Sequence, residues 1–338
     1  MVGHWKLAKL KKVSLLFESK KRPTFAPMKN PLSTSNPNRE MFAIFLILCG
    51  SITFSAKAVL VKLAYQYDVD TVSLMALRMG FALPFFIAIA WHSNRKSATK
   101  STLTKKDYGF IFLFGILGFY VASLFDFFGL KYVTASLERV VLFTYPTLVL
   151  LLSFLFLKKK ITRIEAFALI LTYIGIGIAM YENFTMPEGD NVLFGCGLVF
   201  MAALAYAIYL IGSGKMLTKM GTLQYNSLAM LSACSAILLH HAVVYNFQLF
   251  HFAKEVYFFA FLMAIFSTVL ASFLVTAGVR IIGASKASII SGIGPISTIV
   301  LAYIFLGERL SWLQWIGTIV VIAGVMLITL NKGENNSK

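Results

Sequence analysis

Seven charged side chains fall inside long apolar stretches of this 338-residue chain: Lys57, Lys62, Arg78, Asp126, Glu138, Arg139 and Lys286. A charge in the middle of a membrane span costs about 2.5–3.5 kcal/mol on insertion scales, so each needs a reason. Arginine and lysine suit recognition of a substrate carboxylate, and the planar fork of Arg78 or Arg139 can bind one with two parallel hydrogen bonds. Asp126 and Glu138 can answer those cations, or carry a proton if one of them stays outside an ion pair. The alternative is purely structural: a salt bridge such as Arg78 to Asp126, with Lys62 reaching to the headgroups. Helical rise of about 1.5 Å per residue places the first six near one end of their spans. They form a candidate polar vestibule there.

Other polar features refine this. Tyr145 and Tyr206, with Tyr120, Tyr209 and Tyr303, can offer hydroxyls and ring faces to an organic substrate. Lys286 lies one turn into the ninth predicted span and marks a candidate mouth at the opposite end. Ala284, Ser288 and Gly292 repeat every four residues on its helix, as close helix packing also requires. Pro146 and Pro295 fall in mid-span, where a proline removes a hydrogen bond and kinks the helix into a hinge or a fixed bend. Chemistry of other kinds finds little support. His240-His241 and His251 lack any HExxH or triad spacing, and no phosphate-binding loop occurs. Cys49, Cys196 and Cys234 sit in apolar runs without metal-ligand spacing and read as buried small hydrophobes. No catalytic residue, metal site or cofactor is expected.

The elements that must hold these residues are membrane helices. With 58% hydrophobic and 13% charged residues and a mean hydropathy of +0.78, a soluble chain could not cover its apolar surface. The apolar runs are continuous and near the roughly 20 residues a span requires. Ten are predicted, at 41–64, 71–92, 108–130, 133–157, 163–182, 190–212, 222–246, 255–279, 282–306 and 311–331. Residues 1–40, basic and broken by prolines, read as a mostly disordered cytoplasmic tail. Residues 332–338 form a second tail. Lysines and arginines concentrate in the tail and in alternate loops, at 95–106, 158–163 and 215–219, whereas Asp68, Asp70, Glu182, Glu188, Glu255 and Glu308 fall in the others. By the positive-inside rule both termini are cytoplasmic. The net charge of +17 therefore serves topology, and nucleic acid is not an expected partner.

Two stretches are versions of each other. A shift of 149 carries Gly129 onto Gly278, Ala135-Ser136 onto Ala284-Ser285, Pro146 onto Pro295, Lys160 onto Arg309 and Gly175 onto Gly324 without a gap. The same shift lays the first five spans on the last five. Because five is odd, the second copy lies upside down, an arrangement that underlies alternating access in secondary transporters. The units are 41–182 and 190–331.

The second copy reads Ala284-Ser285-Lys286-Ala287, Gly294-Pro295, Leu306-Gly307-Glu308-Arg309-Leu310 and Gln314-Trp315-Ile316-Gly317. This resembles the EamA domain of the drug/metabolite transporter superfamily, over roughly 41–331. The first copy departs from it with Lys158-Lys159-Lys160 where Gly-Glu-Arg is usual. The resemblance implies an all-α membrane protein of ten helices in two inverted five-helix repeats. The first four helices of each repeat would line a central cavity. It further implies a permease for small metabolites, with amino-acid-like solutes and efflux as the leading expectation. The partners expected are a small-molecule substrate and membrane lipid, and a homodimer is compatible with the sequence. Composition fits a bacterial inner membrane. Import of another metabolite class and a non-transporting scaffold role are the alternatives.

Overall fold

Within hydrocarbon every backbone N–H and C=O must be satisfied inside the segment, so long apolar runs fold as helices. The computed structural model describes residues 37–96, 103–158, 160–181, 189–217, 219–282, 287 and 290–335, and all regular structure among them is helical. The helices are α1 (Pro37–Tyr65), α2 (Thr71–Lys96), α3 (Lys105–Gly129), α4 (Ala135–Leu157), α5 (Arg163–Met180), α6 (Gly189–Leu217), α7 (Thr222–Tyr245), α8 (Lys254–Ile282), α9 (Gly294–Leu306) and α10 (Trp312–Asn335). Nine of these are long and apolar enough to cross a membrane, and α9 is a shorter apolar helix. The ninth span was expected from residue 282. Ala287, Ile290 and Ser291 are helical, a turn follows at Gly292-Ile293, and α9 runs from Gly294. Lys286 and its neighbours 283–285, 288 and 289 lie outside the described residues, as do tail residues 1–36, Lys100, Lys159, Glu182, Glu188 and 336–338.

The repeat is written into the backbone at four places. A π-helical stretch interrupts α3 at Ile116–Val121, and another, at Met263–Leu270, covers the shifted position in α8. Residues Phe143-Thr144 break α4 into Ala135–Leu142 and Tyr145–Leu157, and Gly292-Ile293 form the matching turn before α9. Lys158 ends α4 in the left-handed region at φ +52°, and Gly307 ends α9 at φ +68°. The following helices both start with a capping box, Thr162 with Glu165 and Ser311 with Gln314, each satisfying backbone N–H groups reciprocally.

The breaks change the reading of the two prolines. Each was expected to kink a continuous helix. Both instead sit in the first turn of a new helix, where the missing N–H is not needed. The interruption lies just before them.

Packing follows the same exchange of halves. Helix α1 lies along α8 as α3 lies along α6, while α2 meets α7 and α5 meets α10. The main apolar core fills the space between α1, α2, α7 and α8, with Leu74, Met75, Met79, Phe86, Ile237 and Met263 fully buried. In lipid such side chains favour association through close van der Waals packing, not through removal from water. Helices α5 and α10 touch backbone to backbone. A Cβ on Gly175 would lie 2.8 Å from the Val321 nitrogen and 2.9 Å from the Gly317 oxygen, so glycine is required by close approach.

Candidate functional site

The first repeat brings its charges together. Lys57 of α1 donates to Asp126 of α3 at 2.5 Å, and both are almost fully buried. Glu138 and Arg139 stand in the first segment of α4, four residues or fewer from its start, and are also buried. Asp126, Lys57 and Arg139 all act electrostatically on Glu138. The short α4 segment makes this meeting possible. Its Ala135–Leu142 stretch packs against both α1 and α9, which turns consecutive residues Glu138 and Arg139 into the bundle interior.

Arg139 reaches across the halves. Its guanidinium donates to Ser55 Oγ at 3.0 Å and lies over the Phe54 ring at 5.0 Å. Ser55 Oγ lies 3.0 Å from the Gly294 carbonyl, at the start of α9, and Thr298 Oγ1 reaches the Ser55 carbonyl at 3.3 Å. Gly294 packs beside this group: a Cβ there would be in ordinary contact with Ser55 Oγ at 3.6 Å and with the Arg139 side chain at 3.9 Å. Its counterpart in the first half is Tyr145. Broken helices are tolerated inside a bundle when they line a cavity or find polar partners.

Arg78 is held differently. The structural alternative paired it with Asp126, but the ion-pair partner of Asp126 is Lys57. Arg78 instead contacts Ser123 Oγ at 3.4 Å and stacks over the Phe127 ring at 5.0 Å, within electrostatic reach of Asp126. In the sequence the planar fork of Arg78 was a candidate for a substrate carboxylate. The phenyl face of Phe127 claims that fork.

Among the described residues, Arg78 Nε and Arg139 Nε have no hydrogen-bond partner, and the Asp126 and Glu138 carboxyl groups lie close enough to share a proton. Buried polar groups are normally satisfied, so unpartnered guanidinium donors beside a carboxyl pair mark a candidate site. They present both donors and acceptors.

Tyr145 sits beside Arg139 at the start of the second α4 segment, and its ring meets Tyr206 edge-on at 5.2 Å. The series continues through Tyr209 at 5.7 Å to Tyr225 at 6.1 Å. Tyr120 is drawn away by His240, 2.7 Å from its hydroxyl, and Tyr303 is exposed on the bundle surface. His241 meets Ser73 at 3.0 Å, and His251 lies against Phe252, so the histidines do not converge. Among the described residues no group of three potential ligands could hold a metal ion.

Sequence reading did not single out Phe54, Ser55 or Thr298, and it used Gly294 only as part of the Gly294-Pro295 motif. Single hydroxyls in an apolar helix carry no signal until the fold places them near Arg139. Nor did it find a role for Glu308, whose carboxylate contacts the start of α4: Ala135 N at 2.8 Å, Ser136 N at 3.0 Å and Ser136 Oγ at 2.7 Å.

Comparison with known proteins identifies the family. The EamA-like transporter family matches twice, over residues 41–181 and 193–330. The uncharacterized transporter YcbK of Bacillus subtilis is 28% identical over 300 residues, covering 86% of this chain and 94% of that protein. YyaM of the same organism, also an uncharacterized transporter, is 26% identical over 84% of this chain and 92% of its own length. One crystal structure aligns with a TM-score of 0.59 at 15% identity, over 87% of this chain and 96% of that one, a likeness of fold. The histidines thus belong to a transport protein and not to a membrane enzyme. Two matched domains, the apolar helices and the paired backbone breaks lead to one assignment: the chain is a multi-pass membrane protein of the EamA-like transporter family.

Proposed function

We propose that this protein moves small zwitterionic, amino-acid-like metabolites across the membrane by alternating access, with export as its working direction. The carrying observation is the buried cluster of Lys57, Arg78, Asp126, Glu138 and Arg139, with its unpartnered guanidinium donors beside a carboxyl pair. A zwitterion complements it. Its carboxylate would meet Arg139, and its ammonium would meet Glu138, whose carboxyl group lies beside Asp126. The breaks before Tyr145-Pro146 and Gly294-Pro295 supply two matched points at which segments can rock. Two domains of five helices each support opposed orientations. The loop charges support cytoplasmic termini.

The test is flux in liposomes holding the purified protein, with a labelled amino-acid and metabolite panel, with and without a pH gradient. Saturable flux is expected. Arg139→Ala should reduce it about tenfold or more, the scale of one lost charge-assisted hydrogen bond. Flux that is saturable but unchanged in Arg139→Ala and Arg78→Ala would move the site elsewhere. Dependence on the gradient should vanish in Glu138→Gln, because Asp126 is already ion-paired.

A further inference from the structure

Glu308 is the C-terminal neighbour of Gly307, whose left-handed turn ends α9. That turn sends the chain back over the bundle, and the Glu308 carboxylate lands on the first turn of α4, in the other repeat. The first four N–H groups of a helix have no partner inside it. Thr134 Oγ1 accepts from Leu137, and Glu308 accepts from Ala135 and Ser136. Two of these three bonds therefore come from 172 or more residues away in the chain.

The position of this contact matters. Ser136 lies two residues from Glu138 and three from Arg139 on one short helical segment, so the clamp closes directly beside the charge cluster. Glu308 also borders an open cavity of about 560 Å³, with Lys62, Tyr65, Gln66, Asp68 and Lys131 on its walls. A smaller cavity of about 110 Å³ lies on its other side, against Ser136, Leu137, Val140 and Gln314. One carboxylate thus stands between an open vestibule and a second, smaller cavity. Its sequence counterpart in the first repeat is Lys159, whose ammonium has no acceptor and cannot make this contact. The device is built on one copy.

We propose that Glu308 is the latch of the gate at the vestibule end. Fastened to the start of α4, it holds the ends of α4 and α9 together over the Lys57–Asp126–Glu138–Arg139 cluster. It must release both N–H groups before the cluster can open to the vestibule. The proposal rests on the transporter reading above for its purpose, but its test needs no substrate.

The experiment reads access to the cluster. Cys49, Cys196 and Cys234 are replaced, and Ser55→Cys is introduced as a buried reporter, with Thr298→Cys as a second in case the first misfolds. Gln66→Cys marks the vestibule. A membrane-impermeant maleimide is applied to each face of sealed vesicles. With Glu308 intact, the reporter should label slowly from the face that labels Gln66→Cys. Glu308→Ala should speed this about tenfold or more, since each charge-assisted bond surrendered shifts the equilibrium by that order. Glu308→Gln, which keeps an acceptor but loses the charge, should fall between. Unchanged labelling in Glu308→Ala for both reporters overturns the latch, and so does an equal rise from both faces, which marks general loosening. If Gln66→Cys labels from the cytoplasmic face, the orientation assigned above falls. The latch is still judged by the same ratio.

Discussion

The two halves of this protein share a backbone and differ in charge. Each has a π-helical stretch, a helix broken before a proline, a left-handed corner and a capping box at matched positions. Yet the counterparts of Asp126, Glu138 and Arg139 are Val275, Ala287 and Ser288. The second half gives the cluster a glycine, a carbonyl and a hydroxyl, at Gly294 and Thr298, while the first gives it the ions. Duplication thus set where the helices break. The chemistry then settled on one copy. The corners differ in the opposite sense, with the acid Glu308 in the second half facing Lys159 in the first.

Substitutions can break or sharpen that contrast. The largest effect belongs to the buried ion pair. Asp126→Asn or Lys57→Met alone should lower stability in detergent by about 3–5 kcal/mol, because one buried charge is left uncompensated. The double change Lys57→Met, Asp126→Leu should recover most of it, and a thermal-unfolding cycle measures the coupling. Additive losses would mean the pair is not the unit it looks. Matched costs should appear next, at the backbone contacts. Gly175→Ala and Gly324→Ala should each destabilise by about 1–3 kcal/mol, since either Cβ would press on the facing helix. If only one does, the symmetry of α5 and α10 is superficial. The smallest effect lies at the corners. Lys158→Gly should stabilise by about 1 kcal/mol and Gly307→Ala should destabilise by a similar amount, because a side chain in the left-handed region is disfavoured. Opposite signs at equivalent positions would confirm one turn with two tenants.

Much of the architecture was legible in the sequence, and physical reasons explain the rest. Helices α1 to α8 and α10 follow from apolar runs whose length alone satisfies a bilayer. The breaks at Phe143-Thr144 and Gly292-Ile293 were not legible, because hydropathy continues through them and the prolines suggest a kink rather than a fresh start. For the candidate site, the choice of membrane charges picked out Lys57, Asp126, Glu138 and Arg139, which the structure brings together, since burying an ion demands a partner nearby. Which cation pairs with Asp126 was beyond the sequence: helix rotation decides it, and Phe127 holds Arg78 aside. Tyr145 and Tyr206 do meet, but Lys286 lies outside the described residues. Glu308 was visible as an odd acid in a corner. Its destination depends on which helix start folds beneath it, and nothing local in the sequence states that.

The glycine contact between α5 and α10 has a mechanical consequence. Where two helices meet through backbone atoms less than 3 Å from any added carbon, neither can slide along the other without driving a side chain into the main chain of its neighbour. Gly175, Gly317 and Gly324 therefore fix α5 and α10 as a strut. Sliding of one on the other is therefore the relative movement this contact resists.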